Sequence, residues 1–136
     1  MSNLSQSIAG FPLFLLYFVT SVALLALFAT IYLRVVPHHE LALIREGNVA
    51  AALSLGGALI GFVLPLASAV AHSVNPVDMV AWGVVALLVQ LAVYAAVHRL
   101  VPHFPEAIVA GRVAPAALLA ALAISVGILN AACLTY

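Results

Sequence analysis

Four apolar stretches decide what this chain can fold into. They are "FPLFLLYFVTSVALLALFATIYL" from about Phe11 to Leu33, "VAAALSLGGALIGFVLPLASAV" from about Val49 to Val70, "MVAWGVVALLVQLAVYAAV" from about Met79 to Val97, and "VAPAALLAALAISVGILNAACL" from about Val113 to Leu134. Each is close to the roughly 20 residues a helix needs to cross a hydrocarbon layer. Lipid offers no partner to backbone N–H and C=O groups. A spanning segment must satisfy them within a helix or a closed barrel, and four segments cannot close a barrel. The sequence therefore predicts an all-α membrane protein with four transmembrane helices, as one domain over residues 1–136. Composition agrees, because 6% of the residues are charged against about 25% in a soluble domain.

What joins the stretches sets their orientation. The middle connection, "AHSVNPVD", is short, with Asn75-Pro76 as its breaker. The other two are "VPHHELALIREGNVAAAL" from Val36 to Leu53 and "VPHFPEAIVAGRVAPAAL" from Val101 to Leu118. Each opens on Val-Pro-His, and proline there ends the preceding helix by pushing the residue before it out of the α region. All four arginines, Arg34, Arg45, Arg99 and Arg112, flank or lie within these two loops. The positive-inside rule then predicts cytoplasmic loops and both termini outside. Trp82 suits an outer interface anchor and Tyr32 an inner one, and each is equally an ordinary helix residue. With no lysine and no basic patch to neutralise phosphates, nucleic acid is not an expected partner. Cys133 stands alone, so no internal disulfide forms. The tail "MSNLSQSIAG" lacks the positive region of a secretory signal, and Ser2 in place of glycine rules out myristoylation, so the first stretch reads as a retained span.

The two longer loops also match each other. Pro37 and Pro102, His38 and His103, and Arg34 and Arg99 are 65 residues apart. Ile44 and Ile108, Gly47 and Gly111, and Val49 and Val113 are 64 apart, so the loops differ by one residue in length. This predicts two copies of a helix–loop–helix unit, about 11–73 and 76–136. Each copy holds an even number of spans, so both insert in the same direction. That makes two parallel-repeat helical hairpins rather than the inverted repeats of many transporters.

The run Pro-His-x-Glu-Leu-x-Leu-Ile-Arg-Glu-Gly-Asn, followed by "AAALSLGGALIGFVLPLASA", resembles the YjfL family of small bacterial inner-membrane proteins, also known as domain-of-unknown-function family 350. The likeness covers essentially the whole chain, closely in the first copy and in degraded form in the second. It implies a multi-pass protein of the bacterial inner membrane, built of four helices in two repeats. It implies no activity, no cofactor and no catalytic residue. The second copy departs at Phe104 and Pro105, set against His39 and Glu40 of the first, and it lacks the Arg-Glu and Gly-Gly pairs.

In the first loop, Glu40 to Glu46 reads as a short amphipathic turn at the inner interface, with Leu41 and Ile44 on one face. Gly47 is placed to cap its C-terminal end, and Asn48 to open the second span as an N-cap. Arg34, His38, Glu40, Arg45, Glu46, Arg99, His103, Glu106 and Arg112 are the expected cytoplasmic contacts. His38, His39 and His103 are weak candidates for metal ligands, with Glu40 and Glu106 chemically suitable beside them. Consecutive His-His-Glu cannot readily converge on one ion, and no H-E-x-x-H spacing exists. The expectation is therefore no metal, no cofactor and no catalytic residue.

Within the spans, Gly57 and Gly61 form G-x-x-x-G, and Ser54, Gly56 and Ala58 extend a small-residue face. Such a face lets helices approach closely. The aligned residues of the fourth span, Ala121 and Ser125, are also small. Pro65 removes one helix hydrogen bond and predicts a kink. Gln90 and Asn130 are the mid-span polar residues, suited to interhelical hydrogen bonds. Ser54, Gly56, Gly57, Gly61, Pro65, Gln90 and Asn130 are thus helix-packing or pore-lining candidates. No ionisable residue falls at the centre of a span, which counts against a pump or an ion-coupled carrier. Two functions follow, neither enzymatic. One is an oligomeric membrane scaffold that recruits a peripheral cytoplasmic protein or anionic lipid. The other is an oligomeric channel or small-solute permease lined by the Gly/Ser face of the second span.

Overall fold

The computed structural model describes residues 2–37 and 39–134. Its helices are α1 (Ser2–Ala9), α2 (Phe11–Val35), α3 (Glu40–Arg45), α4 (Val49–His72), α5 (Pro76–Leu100), α6 (Phe104–Val109) and α7 (Val113–Cys133). Among the described residues there is no strand. The four long helices are those expected, each extended or trimmed by a few residues. The first apolar rod also takes in the tail, running from Asn3 to Val35.

Both short helices end in the same way, and the sequence explains why. Gly47 and Gly111 hold φ of 88° and 80°, a left-handed conformation that glycine adopts without a Cβ penalty. Gly47 N–H donates to Ile44 O, and Asn48 N–H to Leu43 O, both at 2.9 Å. In the second loop Gly111 N–H donates to Ile108 O at 3.0 Å and Arg112 N–H to Ala107 O at 2.9 Å. In each loop this pair of hydrogen bonds satisfies carbonyls that a helix end otherwise leaves without donors. Asn48 Oδ1 then accepts from Ala51 N–H at 3.0 Å, the expected cap of α4. In the middle turn Asn75 Oδ1 accepts from Asp78 N–H at 2.9 Å, and Pro76 opens α5.

The bundle is organised around α4. Its small-residue face lies directly on α7. A Cβ added at Gly57 would collide with Ala120, one at Gly61 with the Ala123 carbonyl, and one at Gly127 with the Gly61 carbonyl. Pro65 removes the donor that would normally bond Gly61 C=O, and Gly127 brings the α7 backbone against that same carbonyl. α4 continues through Pro65 as one helix. Ala121 and Ser125, aligned with Gly57 and Gly61 by the repeat, are exposed instead. Gln90 Nε2 joins α5 to this seam by donating to Ala123 O at 3.1 Å. Ser68 Oγ donates to Ala131 O at 3.1 Å, nearer the far end.

α2 is the outlying helix. Leu24, Phe28 and Tyr32, spaced at four residues, are its buried stripe. Phe11, Phe14 and Phe18 stack along its exposed side, a surface suited to lipid.

Candidate functional site

α2 and α5 run toward one end of the bundle, and α4 and α7 run back from it. α3 and α6 therefore lie together there. Asn48 ties them, its Nδ2 donating to Ile108 O at 2.8 Å, with Val109 O at 3.4 Å. Arg34, Arg45, Arg99 and Arg112 are all exposed at this end. Glu46 and Glu106 are exposed with them, so the surface carries four positive charges against two negative. A groove of about 310 Å³ runs beside Arg99, walled by Val35, Leu91, Tyr94 and His98. His39 and His103 are exposed, and His103 takes φ 56° just before α6. His38 lies outside the described residues. Among the described residues no three His, Cys, Asp or Glu side chains gather as a metal ion would require.

Glu40 corrects the expectation placed on it. It was expected as a contact on the loop surface, but it is 2% exposed and turned into the bundle. Ser54 Oγ, fully buried on α4, donates to Glu40 Oε1 at 2.7 Å. Tyr32 on α2 and Tyr94 on α5 are buried at the same end of the bundle. Both hydroxyls are buried, and neither has a hydrogen-bond partner among the described residues. Tyr32 and Tyr94 meet edge to face with centroids 5.6 Å apart, and Tyr94 meets Phe104 in the same way at 6.1 Å. One turn deeper, Gln90 Oε1 is also buried with no partner among the described residues.

Phe104 explains the error of register. α3 begins at Glu40 and α6 at Phe104, so these residues are structural counterparts, 64 apart, and both are buried. Setting Phe104 and Pro105 against His39 and Glu40 placed the extra residue of the first loop after Glu40 instead of at His39. An offset of 64 from Glu40 onward would have set it against an apolar residue and signalled an inward position.

The remaining span candidates separate. Gly57, Gly61, Pro65 and Gln90 are buried in packing, and Ser54 belongs to the Glu40 cluster. Gly56 faces open space, with nothing near an added Cβ. Asn130 is half-buried, and its Nδ2 has no partner among the described residues. α7 fills the Gly57 and Gly61 face of α4 within the chain. Trp82 packs half-buried against the cluster of Ala69, Met79 and Leu134, at the end opposite the arginines.

Comparison with known proteins follows from this architecture. The family model described as Domain of Unknown Function (DUF350) matches residues 6–134. The chain belongs to this family. It is 40% identical over 120 residues to the UPF0719 inner membrane protein YjfL of Escherichia coli (strain K12), covering 88% of this chain and 91% of that protein. It is 27% identical over 88 residues to the UPF0719 transmembrane protein YshE of Bacillus subtilis (strain 168), covering 65% of this chain and 66% of that one. No solved structure matches. The DUF350 assignment and the four apolar helices agree on a multi-pass inner-membrane protein of unassigned function.

Proposed function

We propose that this protein is a non-enzymatic membrane scaffold whose arginine end faces the cytoplasm, with both termini outside, and docks an acidic peripheral protein there. The observation that carries this reading is the exposure of all four arginines on one end of a bundle whose interior is packed. Arginine confined to one end suits the cytoplasmic rule for loop arginines. Two short helices joined by Asn48 give that end a fixed shape on which a partner can register. We also propose that hairpins 11–73 and 76–136 are copies of one ancestral unit, a reading supported by their matching glycine caps. The scaffold works as an assembly, either of several copies or of one copy with its partner.

The test is charge neutralisation. Replacing Arg34, Arg45, Arg99 and Arg112 together by glutamine leaves the packed interior untouched. Exposed ion pairs contribute about 0.2–1 kcal/mol each, so loss of four weakens partner binding by about fourfold to several hundredfold. Co-purification of the soluble partner falls accordingly, and raised salt has the same effect on the wild type. Recovery of the same partner by the neutralised variant, at any salt concentration, contradicts the proposal.

A further inference from the structure

We propose that Arg99, His98 and Glu106 frame a binding site for one phospholipid with a zwitterionic phosphoethanolamine headgroup, a ligand distinct from the acidic protein docked on the wider arginine surface. Two clefts share Pro37 and His98 in their linings. One, of about 310 Å³, lies between the C-terminal ends of α2 and α5, where Val35, Leu91 and Ala95 give an apolar wall beside Arg99. The other, of about 570 Å³, reaches α6, where Pro105 and Val109 flank Glu106.

The two clefts differ in charge. Arg99 lines the first, which has no carboxylate in its lining, and Glu106 lines the second, which has no arginine. Both side chains are exposed, and among the described residues no ion pair joins them. A ligand that answers both needs an anionic and a cationic group a short distance apart. A phosphate and a primary ammonium joined by two methylenes have that form. The guanidinium suits phosphate oxygens. His98, whose ring centroid is 6.0 Å from that of Tyr94, offers a ring N–H to the same phosphate. An ammonium donates hydrogen bonds to the Glu106 carboxylate, whereas a trimethylated choline has no N–H to donate. A glycerol headgroup brings no cation, and its phosphate meets Glu106 as a like charge.

Position in the fold supplies the apolar half of the ligand. α2 and α5 are membrane spans, and Arg99 lies in the last turn of α5. An arginine at a span end lays its stem on apolar surface and its charge among headgroups. Leu91 is eight residues back, about 12 Å at 1.5 Å per residue, and so lies at acyl-chain depth. Leu88 and Val84, three and seven residues before Leu91, share its helix face and are exposed, which extends the apolar track away from the charged end. A soluble phosphate compound would leave this wall uncovered. The occupant is therefore a lipid of the leaflet on the arginine side.

The experiment uses the full chain, purified in detergent and stripped of lipid. Phosphoethanolamine, phosphocholine and phosphoglycerol lipids with identical acyl chains are added in turn, and adducts are counted by native mass spectrometry. No soluble protein is present, so the outcome is separate from the docking of an acidic partner. One phosphoethanolamine lipid binds per chain, about two- to fivefold more tightly than either of the others, as one partly exposed ion pair provides. Arg99→Gln weakens the ethanolamine and choline lipids alike. Glu106→Gln removes the preference for ethanolamine over choline and strengthens binding of the glycerol lipid. Ala95→Trp, at an exposed position, fills the apolar cleft and weakens all three. A wild type that binds the three lipids equally, or prefers the glycerol lipid, overturns the proposal whatever the variants do. So does a Glu106→Gln variant that keeps the ethanolamine preference, or displacement of the lipid by acyl-free glycerophosphoethanolamine at equal concentration.

Discussion

At the scale of single residues, glycine does two different jobs in this chain, and substitution separates them. Gly61 lies against backbone atoms of Ala123 and Gly127, which cannot yield as a flexible side chain would. Gly61→Ala is therefore expected to destabilise the bundle by about 1–3 kcal/mol through overpacking. Gly56, one turn away, has open space around its missing Cβ. Gly56→Ala is expected to be neutral, or to stabilise by up to about 1 kcal/mol from helix propensity. Reversible unfolding in mixed micelles measures both. A loss at Gly56 equal to that at Gly61 would contradict the assigned packing. Gly47 and Asn48 were legible in advance, because a glycine past a short helix and an asparagine before a long one each answer a local backbone need. Glu40 was not. A carboxylate between two spans reads as solvated, since burying it is costly. The printed donor that offsets part of that cost, Ser54, lies on α4, outside the loop. Only the counterpart residue Phe104 carried a trace of it in the sequence.

At the scale of elements, the two short helices are held by one side chain. Asn48 caps α4 through its oxygen and bridges to α6 through its nitrogen. Asn48→Ala is expected to cost about 1–2 kcal/mol, from both losses together. Asn48→Asp keeps the cap and removes only the donor to Ile108 O. It is expected to recover most of the stability while loosening α3 from α6, which hydrogen exchange of residues 40–48 reports. Equal stability of the two variants would show that the bridge, not the cap, carries the energy. The long helices were readable from hydropathy because length and backbone satisfaction fix them. Their partners were not. The repeat aligned Ala121 and Ser125 with the glycines of α4, whereas α7 is rotated to present Ala120, Ala123 and Gly127. Hydropathy carries no phase between two helices that are apolar on every side.

At the scale of the whole molecule, the arginines lie at one end and the packed α4–α7 seam runs away from it. The native Cys133 is exposed at the end opposite the arginines. A membrane-impermeant maleimide is expected to label Cys133 on intact cells from which any outer membrane has been removed. Glu46→Cys, in a Cys133→Ser background, is expected to react only after permeabilisation. The reverse pattern would invert the proposed orientation. Closure of the glycine seam by α7 directs attention from a lumen to the arginine surface, the part of the molecule with room for a macromolecular partner.

The most direct test of that surface is the mass and composition of the complex extracted in native lipid nanodiscs. The scaffold account expects one or a few copies of this chain together with a soluble acidic protein, and loss of that protein when the four arginines are replaced by glutamine. A closed ring of this chain alone, unchanged by the same replacement, would contradict it.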